Sequence, residues 1–245
     1  MFRSSLVFLL SGLLLANATA DDAWIGRFPA QGDIPAPWLI EQIDRKVPAT
    51  RYHLRLWDGV NAVEANADAS MALLGRPVTV DLEKTPILCW RWRVDHVLKN
   101  ADMRTKAGDD YAARVYLTFR IPPDQLGFAT RTKLALARSI YGDQVPDAAI
   151  NYVWDNRQAP ETLMDNAYTD RARMIVVRSG EADAGRWISE RRDVRADFRR
   201  AFGSLQGQLS GLAIAVDTDN TREKARAGFA EFRFVPTAQH CSAAN

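Results

Sequence analysis

The residues best suited to chemistry in this chain sit on two short apolar segments. Arg91 and Arg93 alternate with tryptophans in residues 87–94 (ILCWRWRV), and Arg114 and Tyr116 lie within residues 111–121 (YAARVYLTFRI). If both segments are strands, successive side chains point to opposite faces. Leu88, Trp90, Trp92 and Val94 then fill a core, as do Tyr111, Ala113, Val115, Leu117 and Phe119. Arg91, Arg93, Arg114 and Tyr116 face away from it, with Ala112 and Thr118 beside them. Were the two strands neighbours, these outer residues would form one polar patch. Guanidinium forks suit carboxylates and phosphates, and the phenol ring suits the face of a sugar. The patch therefore reads as a site for a glycan or a small anionic ligand. The plainer reading is a solvated sheet face whose arginines pair with Glu190 or Asp110.

A second group closes the apolar segment 209–217. Asp217, Asp219 and Asn220 carry hard oxygens of the kind that bind Ca²⁺. An EF-hand is excluded, because Arg222 stands where that loop needs Gly and Gly228 where it needs Glu. The alternative is an Asx-rich turn whose side chains bond local backbone. Glycoside hydrolysis needs two carboxylates about 5–5.5 Å or 6.5–9.5 Å apart. Asp110, Glu190, Asp217 and Asp219 are the carboxylates that such a pair would draw on. Adjacent Asp109 and Asp110 would point to opposite faces of a strand. The sequence has no G-x-S-x-G elbow, H-E-x-x-H, C-x-x-C, G-x-G-x-x-G or Walker loop. His53, His96 and His240 have no ligand or triad spacing. No catalytic residue is assigned, and the one cofactor suggested is a structural Ca²⁺ at Asp217, Asp219 and Asn220.

Strand patterns must position these groups. Alternating apolar segments recur, separated by Gly, Pro, Asp and Asn, as in a sandwich of sheets. The pattern predicts a hairpin from 52–57 and 62–67 around Asp58-Gly59, and strands at 76–82, 87–94 and 111–121. Later strands are predicted at 149–154, 173–178, 187–194, 209–217 and 229–235. Residues 193–202 read as a short helix stopped by Gly203. Residues 130–140 fit either a helix or a strand, and 95–106 a helical turn. Trp90 and Trp92 read as core; Trp154 and Trp187 lie nearer strand ends and a rim, though core is the better reading for them as well. Residues 21–50, with four prolines, read as an irregular arm, and 51–245 as one domain.

The first twenty residues have the form of a secretory signal peptide. Arg3 precedes an apolar run, and Ala18-Thr19-Ala20 supplies a small-x-small cleavage site. The run is shorter than the roughly 20 apolar residues of a membrane span. Cleavage after Ala20 would deliver the protein to the periplasm or the medium, where Cys89 and Cys241 either form a disulfide or remain two thiols. The chain's net charge is +2, about +1 without the leader, which offers no field for nucleic acid.

Taken together, Thr85-Pro86-Ile87-Leu88-Cys89-Trp90-Arg91-Trp92, Asp109-Asp110-Tyr111-Ala112-Ala113-Arg114-Val115-Tyr116, Tyr152-Val153-Trp154, Trp187 with Glu190 and Arg192, Asp197-Phe198, Phe202-Gly203 and Asp217-Thr218-Asp219-Asn220-Thr221 resemble the bacterial family DUF3047. The likeness spans about residues 50–235. It implies an exported β-sandwich protein and supplies no activity. Residues 211–235 are also similar, in fold only, to the jelly-roll sandwiches of carbohydrate-binding modules: a strand ending in acidic and amide residues, a loop, and a closing aromatic strand. Fold does not imply function.

The expectation is an all-β, antiparallel β-sandwich of jelly-roll type with one or two short helices. Its preferred function is non-catalytic binding of a carbohydrate or envelope glycan through Arg91, Arg93, Arg114, Tyr116, Glu190 and Asp217. Two alternatives stand beside it: an envelope polysaccharide hydrolase or lyase using carboxylates of the same face, and a structural envelope protein that binds a protein partner.

Overall fold

The computed structural model describes residues 23–142 and 145–241. The expected leader, residues 1–20, lies outside them. The described chain runs β1 (Ala23–Gly26), β2 (Leu39–Glu41), β3 (Arg51–Trp57), β4 (Val60–Asp68), β5 (Leu73–Pro77), β6 (Ile87–Val94), β7 (Tyr111–Arg120), α1 (Phe128–Tyr141), β8 (Ala148–Asp155), β9 (Leu163–Asn166), β10 (Thr169–Ser179), β11 (Ile188–Asp193), α2 (Val194–Phe202), β12 (Gln208–Asp217) and β13 (Lys224–Val235).

The strands form two packed sheets. One has the order β11-β6-β13-β4-β3, with β1 also on β13; the other has the order β2-β5-β12-β7-β8-β10-β9. Alternation decides which residues meet between them. From β6, Leu88, Trp90, Trp92 and Val94 enter the core, opposed by Val115, Leu117 and Phe119 of β7 and Ile150, Tyr152 and Trp154 of β8. Trp90 stacks on Tyr152 with ring centroids 5.5 Å apart, and Trp92 packs at 5.4 Å on Trp90 and 5.6 Å on Trp154. Such pairs add about 0.5–1.5 kcal/mol each beyond their buried area. Trp154 is therefore a core residue and not a rim residue.

Several expectations change. The sheets are not wholly antiparallel: β10 runs parallel to β8. The chain passes from β8 to the far side of β10, forms β9 there, and returns antiparallel, which leaves β10 aligned with β8. The arm is not irregular throughout, because β1 pairs with β13 and β2 with β5, stitching it to both sheets. The strand expected at 76–82 lies earlier and ends at Pro77, which cannot donate to a ladder. Residues 95–106 form no α-helix, only leading into a 3₁₀ turn at Lys106–Gly108. Residues 130–140 lie within α1. Helix α2 has Asp193 as its N-cap, whose carboxylate accepts from the Ala196 amide at 2.9 Å, and Gly203 at φ +68° ends it. No helix among the described residues is long and apolar enough to cross a membrane.

Cys89 on β6 and Cys241 in the tail form a disulfide, with Cα atoms 5.6 Å apart. It lies on the outer face of the six-stranded sheet beside Ile87 and Val235.

Candidate ligand-binding site

The two sheets separate the expected patch. Strands β6 and β7 belong to different sheets, so their outer residues lie on opposite sides of the sandwich. Arg91 and Arg93 join an arginine–tryptophan layer on the six-stranded sheet. Arg93 sits 4.2 Å from the Trp57 ring centroid and bonds Asp58 at 2.5 Å. Arg91 lies 5.7 Å from the Trp187 ring and 3.4 Å from Glu231. Trp187 donates to the Trp57 carbonyl at 2.8 Å. It can lie this close to the sheet because residue 228 is glycine; a Cβ there would stand 2.7 Å from the Trp187 ring. Glu190 joins neither face. Its carboxylate accepts from the Trp92 indole at 3.0 Å and from Arg178 at 2.6 Å, so it ties one sheet to the other from within.

Arg114, Tyr116 and Asp217 do come together, on the outer face of the seven-stranded sheet. On β7, Arg114 lies between Ala215 and Val153, and Tyr116 between Ala213 and Asn151. A register shift between β12 and β7, with one extra residue on β7 between Tyr111 and Arg114, accompanies the approach of the Asp217 carboxylate to Arg114 at 2.5 Å and to the Tyr111 amide at 3.0 Å. The guanidinium lies 4.5 Å from the Tyr111 ring and 4.6 Å from that of Tyr116, so a cation is held between two aromatic faces. Tyr111 thus packs with Met103, Val153, Met174 and Val176 outside the main core, while Ala112 joins the core. Both are the reverse of strict alternation, and the local shift in register is the reason.

Around this pair lies a shell that the sequence reading did not assemble. Asp109 accepts from the Tyr111 hydroxyl at 3.0 Å and from the Asn166 amide at 2.9 Å, and lies 4.0 Å from Arg114. Asp110 accepts from the backbone and side chains of both Asn220 and Thr221. That carboxylate, distant in sequence, organises the 218–221 loop. The hydroxyl of exposed Tyr168 donates to the side-chain Oδ1 of Asn220 at 3.4 Å. Two of the three residues expected to hold Ca²⁺ are bonded within the protein. Asp217 turns to Arg114 and the Asn220 amide to Asp110, and no group of three or more His, Cys, Asp or Glu side chains placed to hold a metal is present among the described residues.

Asn151 is the unexpected member. It is 1% exposed on β8, directly opposite Tyr116. Neither its amide nitrogen nor its amide oxygen has a hydrogen-bond partner, and nor does Nε of Arg114. Buried polar groups are nearly always paired. An asparagine interrupting AAINYVWD was the available signal, since this residue type is depleted in strands.

Burial pushes the Asp217 carboxyl up to about 7; Arg114 opposes this, and Asp110 and Asp109 push the same way. Burial likewise raises Tyr116 and Asp219. The consequence for stability has a definite sign. The unfolded chain loses the Asp217 proton near its ordinary value of 3.8, whereas the folded chain keeps it to about 7. Between these values the native state binds the extra proton, so stability falls as pH rises from 4 to 7 and levels off above. The slope from this group approaches about 1.4 kcal/mol per pH unit. Urea unfolding of wild type and Asp217→Asn at pH 4.5, 6 and 7.5 tests this. Parallel pH profiles for the two proteins would contradict it.

A family model described as "Protein of unknown function (DUF3047)" matches residues 36–233. The chain belongs to DUF3047. No curated protein matches this DUF3047 chain. Among solved structures, the family 11 carbohydrate-binding module from Clostridium thermocellum, in complex with a β-1,3-1,4-mixed-linked tetrasaccharide, superposes with a TM-score of 0.42 at 5% identity, covering 89% of this chain and 98% of that one. The family 30 module of a cellulosomal cellulase from the same organism gives 0.41 at 9% identity, covering 89% and 99%. The xyloglucanase domain of a type three effector from Sinorhizobium fredii, in complex with cellobiose, gives 0.37 at 8%, covering 87% and 93%. These scores are too low to carry a ligand across, so the DUF3047 site is read from its own residues.

Proposed function

We propose that this DUF3047 protein is exported and binds, without turning over, a carbohydrate or envelope glycan on the outer face of its seven-stranded sheet. The observation that carries this reading is Asn151: a buried amide with donor and acceptor both unused, beside the half-buried Tyr116 ring and the Arg114–Asp217 pair. Because Asn151 is 1% exposed, binding must move the side chains that cover it; its amide then meets adjacent sugar hydroxyls, and the Tyr116 ring stacks on the sugar's apolar face. The carboxylates favour binding over hydrolysis. Asp110 is engaged by the 218–221 loop, Asp217 by Arg114, and Glu190 by Trp92 and Arg178, so three of the four candidate carboxylates are already bonded within the protein.

The test couples affinity to stability. An unpaired buried amide costs about 1–3 kcal/mol, so Asn151→Leu is expected to raise the melting temperature while weakening glycan binding at least tenfold. Tyr116→Ala is expected to weaken binding comparably. The probes are alginate oligosaccharides, muropeptides and neutral cello-oligosaccharides, measured by calorimetry. Absence of saturable binding across this panel, or binding that survives both substitutions, would sink the proposal.

A further inference from the structure

A second hollow lies away from that face, under α1. Ile121, Leu126, Leu134 and Ala135 form the apolar part of its lining, and its volume is about 210 Å³. An apolar cavity of about 150 Å³ accepts benzene, so this one has room for a chain or ring of about six carbons. Its polar side carries Arg131, Arg138 and Asp147. Asp147, buried, accepts from the Ile121 amide at 2.9 Å and from Arg138 at 2.6 Å. Arg138 also reaches the Val145 carbonyl at 3.1 Å, as Arg120 does at 2.8 Å. Arg171 donates to the Asp147 carbonyl at 2.7 Å, and its Nη2 is buried without a partner. Arg131, on α1 and lining the hollow, has no carboxylate partner among the described residues. Arg138 thus meets the one carboxylate of the lining, and Arg131 is the second cation of that lining; Asp124, on the neighbouring 3₁₀ turn, is exposed.

We infer that this hollow binds a small amphipathic carboxylate, its apolar tail against Leu126 and Leu134 and its charged head toward Arg131. An apolar floor beside uncompensated guanidinium selects for both halves of such a molecule. A neutral analogue would leave Arg131 unpaired, and a head without a tail would leave the apolar lining uncovered. This inference is independent of the glycan reading, which concerns the sheet face.

Hexanoate is the probe, with 1-hexanol and acetate as comparators, titrated calorimetrically into the full protein. Hexanoate is expected to bind saturably, and each comparator at least tenfold more weakly. Amide shift perturbations in the wild-type protein should centre on Ile121, Leu126 and Leu134. Arg131→Glu and Ala135→Trp both change exposed positions on α1. The first reverses the charge and the second fills the hollow, and each should cut affinity at least tenfold while the melting temperature stays within a few degrees of wild type. No saturable hexanoate binding, equal binding of 1-hexanol, or perturbations mapping elsewhere would overturn the inference.

Discussion

At pH 8, where the Asp217 carboxyl is ionised, Asp217→Ala is expected to destabilise the protein by about 3–5 kcal/mol, the usual cost of removing one member of a buried ion pair. The variant leaves the Arg114 guanidinium, 4% exposed, with Asp109 at 4.0 Å as its nearest carboxylate. Arginine cannot escape by losing its proton. The substitution also orphans the Tyr111 amide that Asp217 accepts from. Arg114→Ala should cost less at pH 5 than at pH 8. The carboxyl it strands can take up a proton at the lower pH, whereas the guanidinium cannot shed one. Replacing both, as Arg114→Met with Asp217→Ala, should recover much of the loss, because a buried pair exchanged for apolar groups is often near neutral. Denaturant unfolding of the two single variants and the double variant closes the cycle. Additive single effects would mean that the pair is not coupled.

Reduction of the Cys89–Cys241 disulfide is the second large effect. The bond closes a loop with a sequence separation of 152. In the chain-entropy model such a crosslink stabilises by about 4–5 kcal/mol, by restricting the unfolded ensemble. For a domain of this size that corresponds to a fall in melting temperature of roughly 10–20 °C. The folded state loses little when the bond opens, since Cys241 contributes only a partly buried contact to Ile87, Cys89 and Val235. Cys241→Ser should therefore melt with reduced wild type and not with oxidised wild type. A reduced protein that melts within about 2 °C of the oxidised one would show that the crosslink contributes little.

The two effects differ in how far the sequence anticipates them. The disulfide needs only two cysteines and an oxidising compartment to be named as a possibility. Whether the bond forms depends on bringing two Cα atoms together across the fold, and the tail's position beside β6 supplies that. The Arg114–Asp217 pair depends on strand order and on a register shift between β7 and β12. Neither is encoded in the spacing of either segment alone.

What the sequence determined by itself is local. Alternation in residues 87–94 assigned the face of every side chain in β6, because a strand's period of two leaves no freedom once one face is buried. Asp193 and Gly203 marked the ends of α2 because capping is satisfied within a few residues. The all-β class followed from the same periodicities. Only the tertiary structure decided which strands are neighbours. It set β6 and β7 in opposite sheets, dividing Arg91 and Arg93 from Arg114 and Tyr116, and turned Glu190 inward between Trp92 and Arg178. It also placed Asn151 opposite Tyr116 and brought Arg171 to the Asp147 carbonyl. These are pairings between residues tens of positions apart, set by packing of the whole core, whereas periodicity reports only how each segment meets its own surroundings.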